Sequence, residues 1–255
     1  MKRYQKNILI LYPLTVLIGS FIHTFFPPPD TVFSNKRNPL NQYFAKRGWF
    51  WTGLTLLLFL LISSPIPRRL QAAYRWGFAT LYWIVFAQWA FGHSIFDRVL
   101  MLSGTCSIDG HGHPKVCKLN GGEWLGFDVS GHCFLLIHMS LFIYEELQLL
   151  VYPPPPAPAL RSSRTTSSDN NASTSTSTAE VLPHPTLTAI LSTLLIFLLL
   201  LWYSMLIATS LYFHSWQEKI AGTIAGMVYW FSTYAIIWPT WYPEMMPKGY
   251  SRRPE

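Results

Sequence analysis

Charged side chains are scarce in this chain. Only 12% of its 255 residues are Asp, Glu, Lys or Arg, whereas about a quarter is usual in a soluble domain. Half of the residues are hydrophobic, and they come in blocks of roughly 18–25 residues, the length that a membrane-spanning helix needs. A soluble core helix requires one apolar stripe, but these blocks are apolar all round. The composition therefore excludes an ordinary soluble domain and predicts an integral membrane protein.

Several well-known enzyme motifs are also missing. The chain has no Walker phosphate loop, no dinucleotide fingerprint and no His-Glu-x-x-His zinc motif. Four residues of zinc-ligand type lie close together without the spacing of a familiar zinc site: Cys106, His111, His113 and Cys117. The net charge is +7, yet Lys and Arg form no cluster typical of nucleic-acid binding. We therefore expect no metal, no cofactor and no nucleic acid, and we attribute the positive charge to loops that face anionic headgroups.

The apolar blocks predict an all-α fold, namely a polytopic membrane protein with six transmembrane helices in one domain, residues 1–255. The predicted spans are residues about 7–26, 49–65, 72–94, 131–151, 187–210 and 219–238. Trp and Tyr cluster at several helix ends, as in the aromatic belts of membrane interfaces. Residues 153–186 begin with a proline run, which cannot continue a helix, and then become rich in Ser, Thr and Asn. Such a polar segment cannot bury enough surface to fold, so we predict a disordered cytosolic linker.

Six spans place both termini on one side of the membrane. The segments on that side carry eleven Lys and Arg residues, against eight on the other side, and this difference favours cytosolic termini. The glycosylation sequon at Asn171 would then lie unused in the cytosolic linker, and Glu145 and Glu146 would mark the cytosolic boundary. Cys106 and Cys117 would share a lumenal loop, where a disulfide persists. The sequence leaves open whether they pair or remain free thiols.

Two histidines lie at the same predicted membrane face. His132 begins the fourth helix and His214 ends the fifth, and antiparallel helices bring these ends to a similar depth. Ionisable residues in such positions are candidate functional residues. A lone histidine there is more often an amphipathic interface residue, but the shared face of the two favours a functional site.

Other polar residues suit chemistry on a phosphate group. Glu218 follows His214 by four residues, so on a helix both side chains would share one face, and the carboxylate could direct Nε2 of the imidazole outward. The loop between the first two helices carries four basic residues whose charge could neutralise a phosphate or diphosphate: Lys36, Arg37, Lys46 and Arg47. Within it, Asn38 followed by Pro39 indicates a helix start. The alternative is that these basic side chains snorkel at the interface.

These segments resemble the fat storage-inducing transmembrane (FIT) family of endoplasmic reticulum proteins. The similar stretches cover most of the chain outside the linker: residues 33–52, Gly126 to His132, Tyr212 to His214, and Glu218 with Lys219. The family looks related to lipid phosphate phosphatases. Ser130-Gly131-His132 matches their second motif, whose histidine is the general acid, and His214 with Glu218 resembles their third, whose histidine is the nucleophile.

The resemblance implies a fatty acyl-CoA diphosphatase in the endoplasmic reticulum membrane, with its active site facing the lumen. It would cleave fatty acyl-CoA to acyl-4′-phosphopantetheine and adenosine 3′,5′-bisphosphate, and so support lipid droplet formation and lipid homeostasis. His214 would attack phosphorus, Glu218 would orient it, and His132 would be the general acid. The phosphate contacts stay open, because residues 204–213 contain no basic residue and the first phosphatase motif has no clean match. The candidates for substrate binding are Lys36, Arg37, Lys46, Arg47, Ser130 and Lys219.

Three other functions are consistent with parts of the pattern. A non-catalytic protein that binds di- or triacylglycerol and partitions it into droplets would depend on its apolar helix faces and not on His132 or His214. A phosphatase for another lipid phosphate would share the same site. A transporter is disfavoured, because transporter sites typically lie at the bilayer midplane on broken helices.

Overall fold

The computed structural model describes residues 3–64, 68–88, 93–108, 112–151 and 184–247. Within these ranges the chain is helical apart from its loops and one small two-stranded β-sheet, so the predicted all-α class is confirmed. The predicted linker lies outside the described residues except at its end, where Pro185 already begins a helix. Proline suits that first position, because its missing N–H has no partner in the first turn.

Helices lie in each of the six predicted spans, at least over part of their length. The α-helices are α1 (Arg3–Phe25), α2 (Gly48–Ser63), α3 (Arg69–Ala87), α4 (Ile95–Ser103), α5 (Pro114–Leu119), α6 (Gly131–Val151), α7 (Pro185–Tyr212), α8 (Trp216–Trp230) and α9 (Trp238–Trp241). Two π-helical segments, Leu40–Ala45 and Phe231–Ile237, precede α2 and join α8 to α9, and a 3₁₀ turn covers Pro243–Met245. Helix α3 ends earlier than predicted, because the backbone of Gln88 is extended and Ser94 caps a separate helix, α4.

Three helices of the described chain are long and apolar enough to cross a membrane: Gln5–Phe25, Pro185–Tyr212 and the continuous Trp216–Trp241. Helix α2 is apolar but shorter. Many large apolar side chains of these helices are exposed, as at Ile10, Phe197 and Ile224. Exposed apolar surface along long helices is what a lipid environment accommodates, and it agrees with a multi-pass membrane protein.

Helix α6 lies at the centre of the bundle and packs against α7 and α8. Nearly all its side chains from Cys133 to Gln148 are buried. Two glycines four residues apart on α8, Gly222 and Gly226, let the backbones of α6 and α8 approach closely. A Cβ atom at Gly226 would lie 2.8 Å from the carbonyl oxygen of Phe134. Small residues at this spacing are typical of helix packing in membranes.

A small cap precedes α6. In it, strand β1 (Thr105–Cys106) pairs antiparallel with β2 (Trp124–Leu125). A disulfide joins Cys106 to Cys117 on α5, with the two Cα atoms 5.7 Å apart. The pairing that the sequence left open is thus present, so neither cysteine is a free thiolate ligand for zinc. Of the other two residues in that group, His111 lies outside the described residues, and the described chain holds no cluster of three or more His, Cys, Asp or Glu that could bind a metal.

A buried polar network lies near the C-terminal end of α6 and joins it to neighbouring segments. Glu145 and Glu146 are fully buried there. The sequence had suggested that they mark the cytosolic boundary, where their carboxylates would be exposed to solvent. Arg75 donates from Nε and Nη2 to the two carboxylate oxygens of Glu146, both at 2.7 Å, and the Tyr234 hydroxyl donates to the same group at 2.7 Å. Trp230 donates to Glu145 at 2.9 Å. Burial of Glu146 is tolerated because Arg75 pairs with it, and both carboxylates accept hydrogen bonds.

Candidate active site

His214 lies in the turn between α7 and α8. Helix α7 ends at Tyr212, and Ser215 begins α8 by accepting the backbone N–H of Glu218. His214 has a φ of 61°, and it is the one non-glycine residue of the described chain with a positive φ. This conformation costs of order 1–3 kcal/mol and is concentrated at functional sites. The turn therefore holds His214 in a position that neither helix alone could provide.

Glu218 joins this turn to the segment that precedes α6. One of its carboxylate oxygens accepts the backbone N–H of Ser215 at 2.8 Å, and the other accepts the N–H of Asp128 at 3.0 Å. Its backbone carbonyl accepts the N–H of Ser130 at 3.1 Å. One residue thus fixes the two chain segments that carry the two histidines relative to each other.

Two carboxylates lie near the Nδ1 atom of His214. An oxygen of Glu218 is 3.6 Å from Nδ1 and an oxygen of Asp128 is 4.0 Å from it. Glu218 is therefore beside His214, as predicted, although the left-handed turn brings them together rather than a shared helix face. Negative charge at Nδ1 favours a proton on that atom and leaves Nε2 available to a substrate.

Asp128 was not predicted as a site residue. Its side chain is 60% exposed, compared with 19% for His214 and 16% for Glu218. It lies four residues before His132, in the Gly126–His132 segment that resembles the FIT family. A carboxylate within this segment was the only indication in the sequence that Asp128 could belong to the site. Asp128 lies near His214 because the turn before α6 contacts the turn before α8.

His132 is held by the segment that precedes α2. Its Nε2 atom lies 2.8 Å from Oδ1 of Asn41, in the π-helical segment Leu40–Ala45. The predicted helix start is present, because Oδ1 of Asn38 accepts the backbone N–H of Asn41 at 2.7 Å. Asn41 was not predicted as a site residue, since an asparagine in a polar loop carries no distinctive sequence pattern.

His132 and His214 line the same cavity, which has a volume of about 440 Å³. The polar lining includes four further side chains: Lys36, Asn41, Lys46 and Asp128. Residues of α7 between Leu201 and Tyr212 form a mostly apolar wall, which extends for roughly 16 Å at 1.5 Å per helical residue. Imidazoles and cations at one end and an apolar wall along the side suit an anionic group that carries a hydrophobic tail.

Four of the six predicted substrate contacts are not part of the cavity lining. Arg37 is exposed, and the Arg47 guanidinium lies over an aromatic ring, 5.9 Å from its centroid. Ser130 is fully buried, and its Oγ accepts a backbone N–H at the beginning of α6. Lys219 is also fully buried. Its Nζ donates at 2.7 Å to the carbonyl of Ser210, near the end of α7. A cation is stabilised there by the helix dipole, so Lys219 is a packing contact between α7 and α8.

The profile of the fat storage-inducing transmembrane protein family matches residues 29–234, which is most of the chain. The chain belongs to this family. The matched FIT region includes the basic loop, both histidines and the whole cavity wall on α7. The resemblance stated from the sequence is therefore confirmed.

Relatives in the FIT family carry enzyme names. The acyl-coenzyme A diphosphatase FITM2 of Homo sapiens is 30% identical over 243 residues, which cover 92% of this chain and 82% of that protein. The acyl-coenzyme A diphosphatase FITM2 of Drosophila melanogaster is 33% identical over 267 residues, 94% of this chain and 59% of that protein. The acyl-coenzyme A diphosphatase fit1 of Schizosaccharomyces pombe is 30% identical over 248 residues, 92% of this chain and 86% of that protein. No solved structure matches the chain.

Proposed function

We propose that this chain is a fatty acyl-CoA diphosphatase that releases acyl-4′-phosphopantetheine and adenosine 3′,5′-bisphosphate. The observation that carries the proposal is the cavity that His132 on α6 and His214 in the turn between α7 and α8 both line, beside an apolar wall. Relatives similar over most of the chain are named acyl-coenzyme A diphosphatases. The products support lipid droplet formation and lipid homeostasis.

His214 is the nucleophile of the first step. Its Nε2 atom attacks one phosphorus atom of the diphosphate, a P–N bond forms, and the bridging P–O bond breaks. Glu218 and Asp128 stabilise the positive charge that develops on the ring, since both carboxylates lie near Nδ1. His132 donates a proton to the leaving phosphate oxygen.

Water completes the reaction. It attacks the phosphorus of the phosphohistidine, His132 takes up its proton, and the P–N bond breaks to restore His214. Lys36 and Lys46 neutralise the phosphate oxygens, because both line the cavity with the two histidines. The hydrophobic part of the substrate lies along α7, which explains why this chemistry takes place in a membrane protein.

The proposed topology has six spans, cytosolic termini and an active site that faces the lumen of the endoplasmic reticulum. The Cys106–Cys117 disulfide supports this orientation, because it lies in the cap that leads directly into the beginning of α6, where His132 is located. Disulfides persist in the oxidising lumen and are rare in the cytosol.

Hydrolysis of oleoyl-CoA by the detergent-purified protein tests the function. We expect the wild type to release adenosine 3′,5′-bisphosphate, and we expect no detectable release by His214→Ala. In His132→Ala, loss of the general acid lowers kcat by roughly 10²–10⁴-fold. The matched control is His184→Ala, since His184 is exposed at the other end of α7 and should leave turnover unchanged.

The outcomes separate the remaining functions. Full activity in both site variants would disprove the assigned roles. If the wild type releases nothing and yet binds di- or triacylglycerol, the chain is the lipid-partitioning protein. Release of phosphate from another lipid phosphate, without cleavage of oleoyl-CoA, would retain the site and change the substrate.

A further inference from the structure

The side chain of Asn41 is held at both ends. Its Nδ2 donates to the backbone carbonyl of Lys36 at 2.7 Å, and its Oδ1 lies 2.8 Å from Nε2 of His132. A backbone carbonyl can only accept a hydrogen bond, so the contact with Lys36 requires the NH₂ group on that side. The orientation of the carboxamide is therefore determined, and the oxygen faces His132.

This orientation determines which ring nitrogen of His132 carries hydrogen. The Oδ1 atom of Asn41 is an acceptor only, so Nε2 of His132 must be the donor. A neutral imidazole with hydrogen on Nε2 has its lone pair on Nδ1. We propose that Asn41 is a positioning residue that holds His132 in the Nε2–H tautomer, so that Nδ1 is the nitrogen that exchanges protons.

The consequence for the reaction rests on the proposed function. In the first step Nδ1–H of the His132 imidazolium donates to the leaving phosphate oxygen, and in the second step the same Nδ1 accepts a proton from water. Nε2–H remains bonded to Asn41 throughout. Nδ1 thus gives one proton to the leaving group and regains another from water, and the ring needs no rotation between the two steps.

The surrounding loop is built to keep Asn41 in place. The carbonyl of Lys36 also accepts from Nε2 of Gln42 at 2.7 Å, so two neighbouring amides bind one oxygen atom. Asn38 caps the backbone N–H of Asn41. Lys36 itself lines the cavity, and the loop therefore couples a cation of the site to the orientation of His132. Gln42 supports the same loop, and its Oε1 accepts from Nζ of Lys46 at 3.1 Å, but it does not bond to His132. Gln42→Leu therefore measures the effect of loosening the loop while the acceptor for His132 is retained.

Nitrogen NMR measures the tautomer directly. The protein is labelled with ¹⁵N-histidine and studied in detergent at alkaline pH, where the ring is neutral, and His132→Gln identifies the His132 signals. We expect a protonated Nε2 and an unprotonated Nδ1 in the wild type. In Asn41→Leu we expect the averaged signals of a ring that exchanges between tautomers. Asn41→Asp retains the acceptor that faces His132 and should keep the hydrogen on Nε2, although it loses the donor to the Lys36 carbonyl. Gln42→Leu leaves the contact between Asn41 and His132 in place and should keep the same tautomer.

Kinetics then separates positioning from simple loop stability. We expect Asn41→Leu to lower kcat by about 10–100-fold, as for loss of one hydrogen bond to a charged group, with a much smaller change in KM. Asn41→Asp should recover only part of this loss, because it restores the acceptor for His132 but not the donor to the Lys36 carbonyl. A residue that only supported the loop would change KM, and Asp would not restore turnover.

Some results would overturn the proposal. Hydrogen on Nδ1 of His132 in the wild type would do so, even if Asn41→Leu fails to fold. Unchanged His132 signals in a folded Asn41→Leu protein would also overturn it. If the wild type shows the expected tautomer but cleaves no acyl-CoA, the proposed function fails and the role of Asn41 stands.

Discussion

At the scale of single residues, the site depends on one unusual backbone conformation. His214 has a positive φ, and this turn places its ring beside Glu218 and Asp128. Glu218 in turn uses both carboxylate oxygens on backbone N–H groups. The position of His214 therefore depends on the turn and on the backbone hydrogen bonds that Glu218 accepts.

This conformation predicts opposite effects of two substitutions on stability. Glycine adopts positive φ without a steric penalty, so His214→Gly should unfold at the wild-type temperature or above it. A β-branched residue is strongly disfavoured there, and His214→Val should lose about 1–2 kcal/mol. Both variants should be inactive. Thermal unfolding followed by tryptophan fluorescence checks the order, and equal stability of the two variants would argue against the left-handed turn.

At the scale of secondary-structure elements, α6 carries two different polar sites on one helix. His132 is at its beginning and Glu146 is fourteen residues later, about 21 Å away along the axis. The first site lines a cavity, whereas the second is fully buried against α3 and the segment after α8. The two ends should therefore respond differently to mutation, with function lost at one end and stability at the other.

The buried ion pair provides the corresponding prediction. Glu146→Leu leaves the charge of Arg75 without its partner and should lower the free energy of unfolding by about 3–5 kcal/mol. The double variant Arg75→Met with Glu146→Met removes both charges and should cost much less. Unfolding in a titration with sodium dodecyl sulfate measures both, and the folded double variant should keep wild-type kcat. An equal loss in both variants would show that packing dominates over the charge pair.

At the scale of the whole molecule, the bundle has two distinct ends. The disulfide-linked cap and the beginning of α6 lie at the end with the cavity, and the Arg75–Glu146 pair lies at the other end. In the proposed topology only one of these ends faces the lumen. Orientation thus decides whether the site faces an oxidising compartment.

Glycosylation tests this orientation in cells. The sequon at Asn171 should stay unmodified, because the proposed topology places it in the cytosol. A second sequon created by Lys118→Asn with Asn120→Thr lies in the exposed part of the cap and should be glycosylated. The measurement is the mobility shift after endoglycosidase treatment. A glycan at Asn171 and none in the cap would invert the topology.

The sequence by itself determined the helices and the pairing of the two histidines. Apolar blocks of spanning length form helices irrespective of their partners, because the backbone must satisfy its hydrogen bonds within each segment in lipid. Their alternation in direction then brought the beginning of α6 and the end of α7 to one end of the bundle. For that reason His132 and His214 could be predicted together, and so could Lys36 and Lys46, which line the cavity with them.

Tertiary structure decided which polar groups reach the cavity and how they are held. Asn41 and His132 are 91 positions apart, and Asp128 and Glu218 are 90 apart. No periodicity within a segment specifies such contacts, which arise when separate loops are packed onto the same helix ends. Lys219 is adjacent to Glu218 in sequence, but it points to the carbonyls at the end of α7 and away from the cavity. The sequence determines which residues lie at one end of the bundle, whereas side-chain direction depends on the partners that packing supplies.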